Sequence, residues 1–242
     1  MNKVVVTGAD RNIGLEMCRE FLKKGWFVFA GKFLMELSYL DKLQAEYPGQ
    51  MVIVKLDTAS TESIQAAAAE VAKHTKVVDM VVHNAAHFGA QAGEIKGEMD
   101  LSRFCVPYNV NALGALRMIQ AFQPLMQEGM KRLCFTSSEA GVVSVSHRDA
   151  ISSYGMSKTA LNMALRMAFN LLQPKGYSFR LFHPGWVRSP KIERDDQVVD
   201  RPRGGKFEPE ESAASAIEQF IADREWEDRL AIIDNEGMAW PF

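Results

Sequence analysis

At 242 residues the chain is long enough for one α/β domain with a substantial core. Its 28 Lys and Arg nearly balance 30 Asp and Glu, which argues against a nucleic-acid or polybasic membrane surface. Three scattered cysteines, Cys18, Cys105 and Cys134, have no metal spacing and read as thiols of a reducing cytosol, so no metal site is expected. The chain enters its first strand pattern without a signal-peptide pattern. No apolar run is long enough to span a bilayer, so a soluble, cytoplasmic protein is expected, with no membrane partner.

In chain order, strands are predicted at Lys3–Thr7, Trp26–Ala30, Met51–Leu56, Val77–His83, Lys131–Thr136, Ser178–His183 and Leu230–Asp234. Helical spacing follows at Leu15–Lys24, Ser60–Lys73, Val110–Gln127, Ser153–Leu172 and Glu210–Asp223. This alternation implies right-handed crossovers and an α/β doubly wound parallel sheet with helices on both faces. One domain over 1–242 is expected. Only the charged stretch from Pro190 to Pro209, with Pro202 and Gly204-Gly205, breaks the rhythm; it reads as a loop or a small lid.

Two motifs carry chemistry. Thr7-Gly8-Ala9-Asp10-Arg11-Asn12-Ile13-Gly14 turns the first strand into the first helix, where free N–H groups favour a phosphate. Tyr154 and Lys158 stand four apart, neighbours on one helix face. An ammonium beside a phenol favours phenolate and fits it for general acid/base work. Taken alone, that spacing also fits an amphipathic helix with a surface lysine.

Together and in this order, the motifs resemble the short-chain dehydrogenase/reductase family. The family's glycine-rich turn is matched by Gly8 and Gly14, with Asn12 in place of the middle glycine. Its Asn-Asn-Ala-Gly segment reads His83-Asn84-Ala85-Ala86, and its helix asparagine falls on Asn111. Its catalytic serine, tyrosine and lysine match Ser138, Tyr154 and Lys158. Its Pro-Gly-x-Val segment reads Pro184-Gly185-Trp186-Val187. His183–Ser189 and the end of the chain, Ile232–Phe242, are similar to carbonyl reductases of the sniffer and C-factor type.

The resemblance implies a Rossmann fold and an oxidoreductase that interconverts a carbonyl and a secondary alcohol. Tyr154 would be the acid/base and Ser138 a hydrogen-bond partner of the substrate oxygen. Lys158 would hold the nicotinamide ribose, and Asn111 would anchor a relay water. Gly8, Arg11, Asn12, Ile13, Gly14, Asp57, Asn84, Ala85, Pro184, Gly185 and Val187 would contact the cofactor together with Tyr154 and Lys158. The acid that would bind the adenosine ribose is replaced by Lys32, and no Asp or Glu lies between Trp26 and Met35. With Arg11, this favours NADP(H) over NAD(H). A surface lysine with no ligand role is the alternative for Lys32.

Ser138 and Tyr154 lie sixteen residues apart, more than is common in the family, which lengthens the segment Val142–Ser152. His147 and Arg148 there, with Trp186, are candidate substrate contacts beside Ser138 and Tyr154; His147 and Arg148 facing solvent is the alternative. A small-molecule carbonyl or alcohol is the expected partner. The resemblance also implies a homodimer or homotetramer through the helices at Val110–Gln127 and Ser153–Leu172. A cofactor-binding sensor or scaffold without turnover, or a non-redox lyase or epimerase of the same family, remain the alternative functions.

Overall fold

The computed structural model describes residues 1–89, 100–148, 150–189, 204–225 and 227–242, together with the backbone of 91–92, 192–194 and 197–200. Runs of Val, Ile and Phe form the strands, because β-branched and aromatic side chains suit a sheet buried on both faces. They are β1 (Lys3–Val6), β2 (Phe27–Lys32), β3 (Met51–Lys55), β4 (Met80–His83), β5 (Arg132–Thr136), β6 (Ser178–His183), β7 (Ile232–Asp234) and β8 (Ala239–Trp240). Their order in the sheet is β8-β7-β6-β5-β4-β1-β2-β3. All neighbours pair in parallel except β7 with β8. The winding direction switches between β1 and β4, and the crevice at the carboxyl ends of those strands is where such sheets bind ligands.

The helices are α1 (Asn12–Lys23), α2 (Tyr39–Glu46), α3 (Thr61–His74), α4 (Gly114–Phe122), α5 (Ser153–Leu172) and α6 (Pro209–Ile221). They cover the sheet with two apolar layers. One joins Val5, Phe29 and Phe135 to residues of α3, α4 and α5. The other joins Val4, Val6 and Val28 to residues of α1, α2 and α6. Among the described residues, no helix is long and apolar enough to cross a membrane.

Several boundaries differ from the sequence expectation. Trp26 precedes β2 and packs its ring 5.2 Å from that of Phe21, while the strand continues to Lys32. The single helix expected over Val110–Gln127 is composite. A π-helical turn, Tyr108–Leu113, leads into α4, and a tight 3₁₀ turn, Gln123–Met126, follows it. Pro124, at the start of that last turn, has no N–H to continue the α ladder.

Helix α6 is anchored at both ends. The Arg132 guanidinium donates to the Phe220, Ile221 and Ala222 carbonyls at 2.9, 3.0 and 3.2 Å, closing its C-terminus. At the other end, Ser212 Oγ donates to the Pro184 carbonyl at 3.1 Å and fixes the loop after β6.

The stretch read as a lid holds two short antiparallel strands, Ile192–Arg194 and Gln197–Asp200. At its base Val187 bridges Phe207, and Arg188 N–H donates to the Phe207 carbonyl at 2.9 Å. Pro190, Lys191, Asp195, Asp196 and Arg201–Arg203 lie outside the described residues.

Candidate active site

The turn between β1 and α1 is built for close approach. A Cβ on Gly14 would lie 2.0 Å from the Gly8 carbonyl oxygen, so only glycine fits. Asn12 adopts φ 53°, the left-handed conformation that asparagine tolerates better than most residues. Its side chain accepts from the Ile13 N–H at 2.9 Å and donates to the Arg188 carbonyl at 3.4 Å. The residue that departs from the glycine pattern thus ties the turn to the loop carrying Pro184, Gly185 and Val187.

Asn84 and Ala85 sit across from this turn. The N–H groups of both donate to Thr7 Oγ1, at 3.1 and 3.0 Å. Asn84 Nδ2 reaches the Gly8 carbonyl at 3.2 Å, and its Oδ1 accepts from Thr136 Oγ1 at 3.1 Å. One asparagine therefore links the carboxyl ends of β1, β4 and β5.

At the adenosine end, Lys32 is buried and its ammonium lies 2.8 Å from Asp41 on α2. It does not lie on the surface, where the alternative reading of the sequence put it. Asp10 accepts from the Phe33 and Leu34 N–H groups at 2.7 and 2.9 Å and shapes the turn after β2. Burial pushes the Asp10 carboxyl above its ordinary value, against those two hydrogen bonds. Arg11 stands half-buried before α1. Asp57, after β3, accepts from the Ala59 N–H at 2.8 Å.

Helix α5 starts at Ser153, capped by Ser152, whose Oγ accepts from the Gly155 N–H at 3.3 Å. Tyr154 and Lys158 follow in its first turns. Lys158 is 1% exposed; its ammonium donates to the Thr136 carbonyl at 2.7 Å and lies 5.6 Å from the Tyr154 ring centroid. Burial pushes its pKa down from 10.5 to about 7.

The turn carrying Ser138 is pressed against the same helix. A Cβ on Gly141 would lie 2.7 Å from the Lys158 carbonyl carbon. Asn162 accepts from Ser137 Oγ at 2.6 Å and donates to the Gly141 carbonyl at 3.2 Å. Ser138, Tyr154 and Lys158 are thus brought to one end of α5.

Asn111 is fully buried on the π-helical turn. Its Oδ1 accepts from the His87 N–H at 2.8 Å, and its Nδ2 donates to the His87 carbonyl at 3.0 Å and to Ser157 Oγ at 2.8 Å. Both amide protons are committed, so the side chain clasps the strand-four loop onto α5. Below it, buried His83 lies near the Val110 and Asn111 carbonyls, and desolvation lowers its pKa from 6.5 to about 3.

On the substrate side, His147 and Arg148 are exposed. Arg148 pairs with Glu139. Trp186 is 71% exposed beside Pro184 and Gly185. Phe88 stacks on Tyr154 with centroids 4.9 Å apart and 23° between the planes. Sequence reasoning passed over Phe88, Glu139 and Asn162. Glu139 and Phe88 stand next to motifs that were read, and only the folded chain turns them toward the site.

The arrangement fits a dinucleotide. The first turn of α1 holds no acidic residue and Arg11 makes no side-chain cap there, so its positive end suits a pyrophosphate. The buried Lys158 ammonium rests on a carbonyl, which leaves it able to donate to ribose hydroxyls.

Residues 2–197 match the family profile described as short chain dehydrogenase. An uncharacterised oxidoreductase of Schizosaccharomyces pombe is 31% identical, with 97% of this chain and 91% of that protein covered. The NADPH-bound carbonyl reductase from chicken fatty liver superposes with a TM-score of 0.80 at 26% identity, over 99% of both chains. The carbonyl reductase Sniffer of Drosophila melanogaster shares the fold, with a TM-score of 0.83 at 17% identity over 100% of both chains. By this match and by the motifs assembled in the crevice, the chain belongs to the short-chain dehydrogenase/reductase family of oxidoreductases.

Proposed function

We propose that the protein is an NADP(H)-dependent oxidoreductase that interconverts a carbonyl compound and a secondary alcohol, with Tyr154 as general acid and base. The observation that carries this reading is the buried Lys158 ammonium, 5.6 Å from the Tyr154 ring and held by the Thr136 carbonyl. A bound nicotinamide supplies or accepts the hydride at the substrate carbon. Tyr154 gives its phenolic proton to the carbonyl oxygen in reduction and takes one from the hydroxyl in oxidation. Ser138 hydrogen-bonds the same oxygen. Lys158 holds the ribose and favours the phenolate. Asn111 keeps the loop after β4 against α5, and a relay water near it would exchange the proton of Lys158 with solvent.

The preference for NADP(H) is supported by the absence of an acid at the end of β2 and by Arg11 and Lys32 near the expected 2′-phosphate. The NADPH carried by the chicken relative agrees with it. Lys32 would be shared between Asp41 and the phosphate. Titration of nicotinamide fluorescence is expected to give tighter binding of NADPH than of NADH. The reverse order overturns the cofactor preference alone, and no binding of either overturns the oxidoreductase reading.

The proposed homo-oligomer is supported by the outer face of α5. Met156, Met163, Met167 and Leu171 are all more than half exposed there, and Leu116 of α4 is also exposed. Exposed apolar side chains grouped on one helix face support an interaction site there. Sedimentation is expected to show a homodimer or homotetramer; Met163→Glu with Met167→Glu should shift the protein to monomer, and a monomeric wild type would contradict the assignment.

A further inference from the structure

A serine hydroxyl carries one proton and two lone pairs. Ser138 Oγ accepts from the Ala140 N–H at 3.1 Å and lies 2.6 Å from Glu139 Oε2. An ionised carboxylate has no proton to give, so the serine is the donor in that contact. Its proton therefore points to Glu139, and one lone pair is left for a ligand.

The carboxylate is well held in this state. Glu139 Oε2 also accepts from the Ala140 N–H, and its Oε1 pairs with Arg148. Burial pushes the Glu139 carboxyl up, yet the Ser138 hydrogen bond, neighbouring His183 and Arg148, and the Ala140 N–H together hold it below its ordinary value. The groups acting here are Arg148 from the lengthened segment and His183 from β6. Behind His183 are Asp234 from β7 and Lys158 from α5. The lengthened segment, a departure from the family pattern, thus meets the acid that follows Ser138 in one ion pair.

We propose that Glu139 is a positioning residue that commits the Ser138 proton, so that Ser138 meets a substrate oxygen first as an acceptor of an alcohol proton. The proposal rests on the reading of Ser138 as the partner of the substrate oxygen. A carbonyl oxygen only accepts; to bind it, Ser138 must turn its proton away from the carboxylate and give up a charge-assisted hydrogen bond. An alcohol donates its proton to Ser138 on binding without that rearrangement, and the proton turns to Tyr154 only when oxidation begins. The equilibrium between ketone and alcohol in solution is untouched. The effect falls on the affinities of the two ligands and on their distribution within the bound complex.

Two measurements test this. The first needs no turnover: glutamate δ-carbons are labelled with ¹³C, Glu139 is assigned by difference with Glu139→Gln, and its titration is followed by NMR. Ser138→Ala is expected to raise the Glu139 pKa by removing the donor, and an unchanged titration overturns the proposal. The second measures acetophenone binding with the oxidised cofactor and 1-phenylethanol binding with the reduced one, so that neither complex reacts. Glu139→Ala is expected to shift the ratio of the two affinities toward the ketone by about tenfold, with Glu139→Gln between the two. A ratio that stays at the wild-type value overturns the proposal. Failure of wild type to bind either nicotinamide removes the oxidoreductase reading, and the NMR titration then decides the position of the serine proton by itself.

Discussion

Tyr154→Phe is expected to lower carbonyl turnover by about 10²- to 10⁴-fold, the range a positioned general acid contributes, while NADPH affinity changes little. The substitution removes one oxygen and keeps the ring that stacks on Phe88 at 4.9 Å. Lys158 keeps its hydrogen bond to the Thr136 carbonyl, so the ammonium proposed to hold the ribose stays in place. Steady-state rates with a panel of ketones, set beside NADPH titration of the same preparation, separate the two effects. Unchanged turnover would take the phenol out of the mechanism. Loss of cofactor affinity along with turnover would instead point to a collapsed site.

Lys158→Met is expected to remove turnover and weaken cofactor binding, yet to stabilise the cofactor-free protein at pH 6 by about 1–4 kcal/mol. The pKa falls from 10.5 to about 7, and at about 1.4 kcal/mol per unit the buried charge costs roughly 4–5 kcal/mol. Losing the hydrogen bond to Thr136 takes back about 1–3 kcal/mol. The pH dependence has a definite sign. The folded protein releases the Lys158 proton near pH 7, while the unfolded chain keeps it to about 10.4. Between those values the unfolded chain binds more protons, so wild-type stability rises with pH, and below pH 7 the full penalty remains.

Cys18 and Cys134 act in the opposite sense. Burial pushes both thiols far up, so above about pH 8.5 only the unfolded chain ionises them and stability falls. The lysine effect is therefore clearest from about pH 7 to 8.5. Urea unfolding of both proteins without cofactor at pH 6, 7 and 8 reads it directly. A variant less stable than wild type at pH 6, or one that keeps the wild-type slope, would contradict the assignment of the penalty to Lys158. Stability given up at a catalytic group is a common trade in enzymes.

Elements with a long or strong pattern were legible before the fold was known. The helix over Ser153–Leu172 and the strand over Ser178–His183 have the same bounds in the sequence reading and in the structure. Helix α2 was missed, since in eight residues it buries only Leu40 and Leu43 and so writes almost no period. With it went Asp41, and therefore the pairing that buries Lys32. The composite helix around Asn111 was smoothed into one, because a π-helical turn keeps the same apolar composition as an α turn. Ser138, Tyr154, Lys158 and Asn111 could be named from their motifs and order. The partners that decide their protons could not: Glu139 meets Arg148 across nine residues, and Asn111 meets Ser157 across 46. Those meetings belong to tertiary structure, which residue spacing does not encode.

The knot that Asn84 ties between the ends of β1, β4 and β5 has a consequence for how such a protein diversifies. With Thr7 and Thr136 it fastens three parallel strands at the floor of the crevice. Strands fixed in this way cannot slide, so the floor keeps one shape whatever lies above it. The segments that begin at Val142 and at Val187 leave this floor after β5 and β6. Insertions and substitutions in those two segments can therefore change the rim of the crevice while the strand ends beneath keep their spacing. A lineage built on this floor can try new substrates one loop at a time without rebuilding its chemistry.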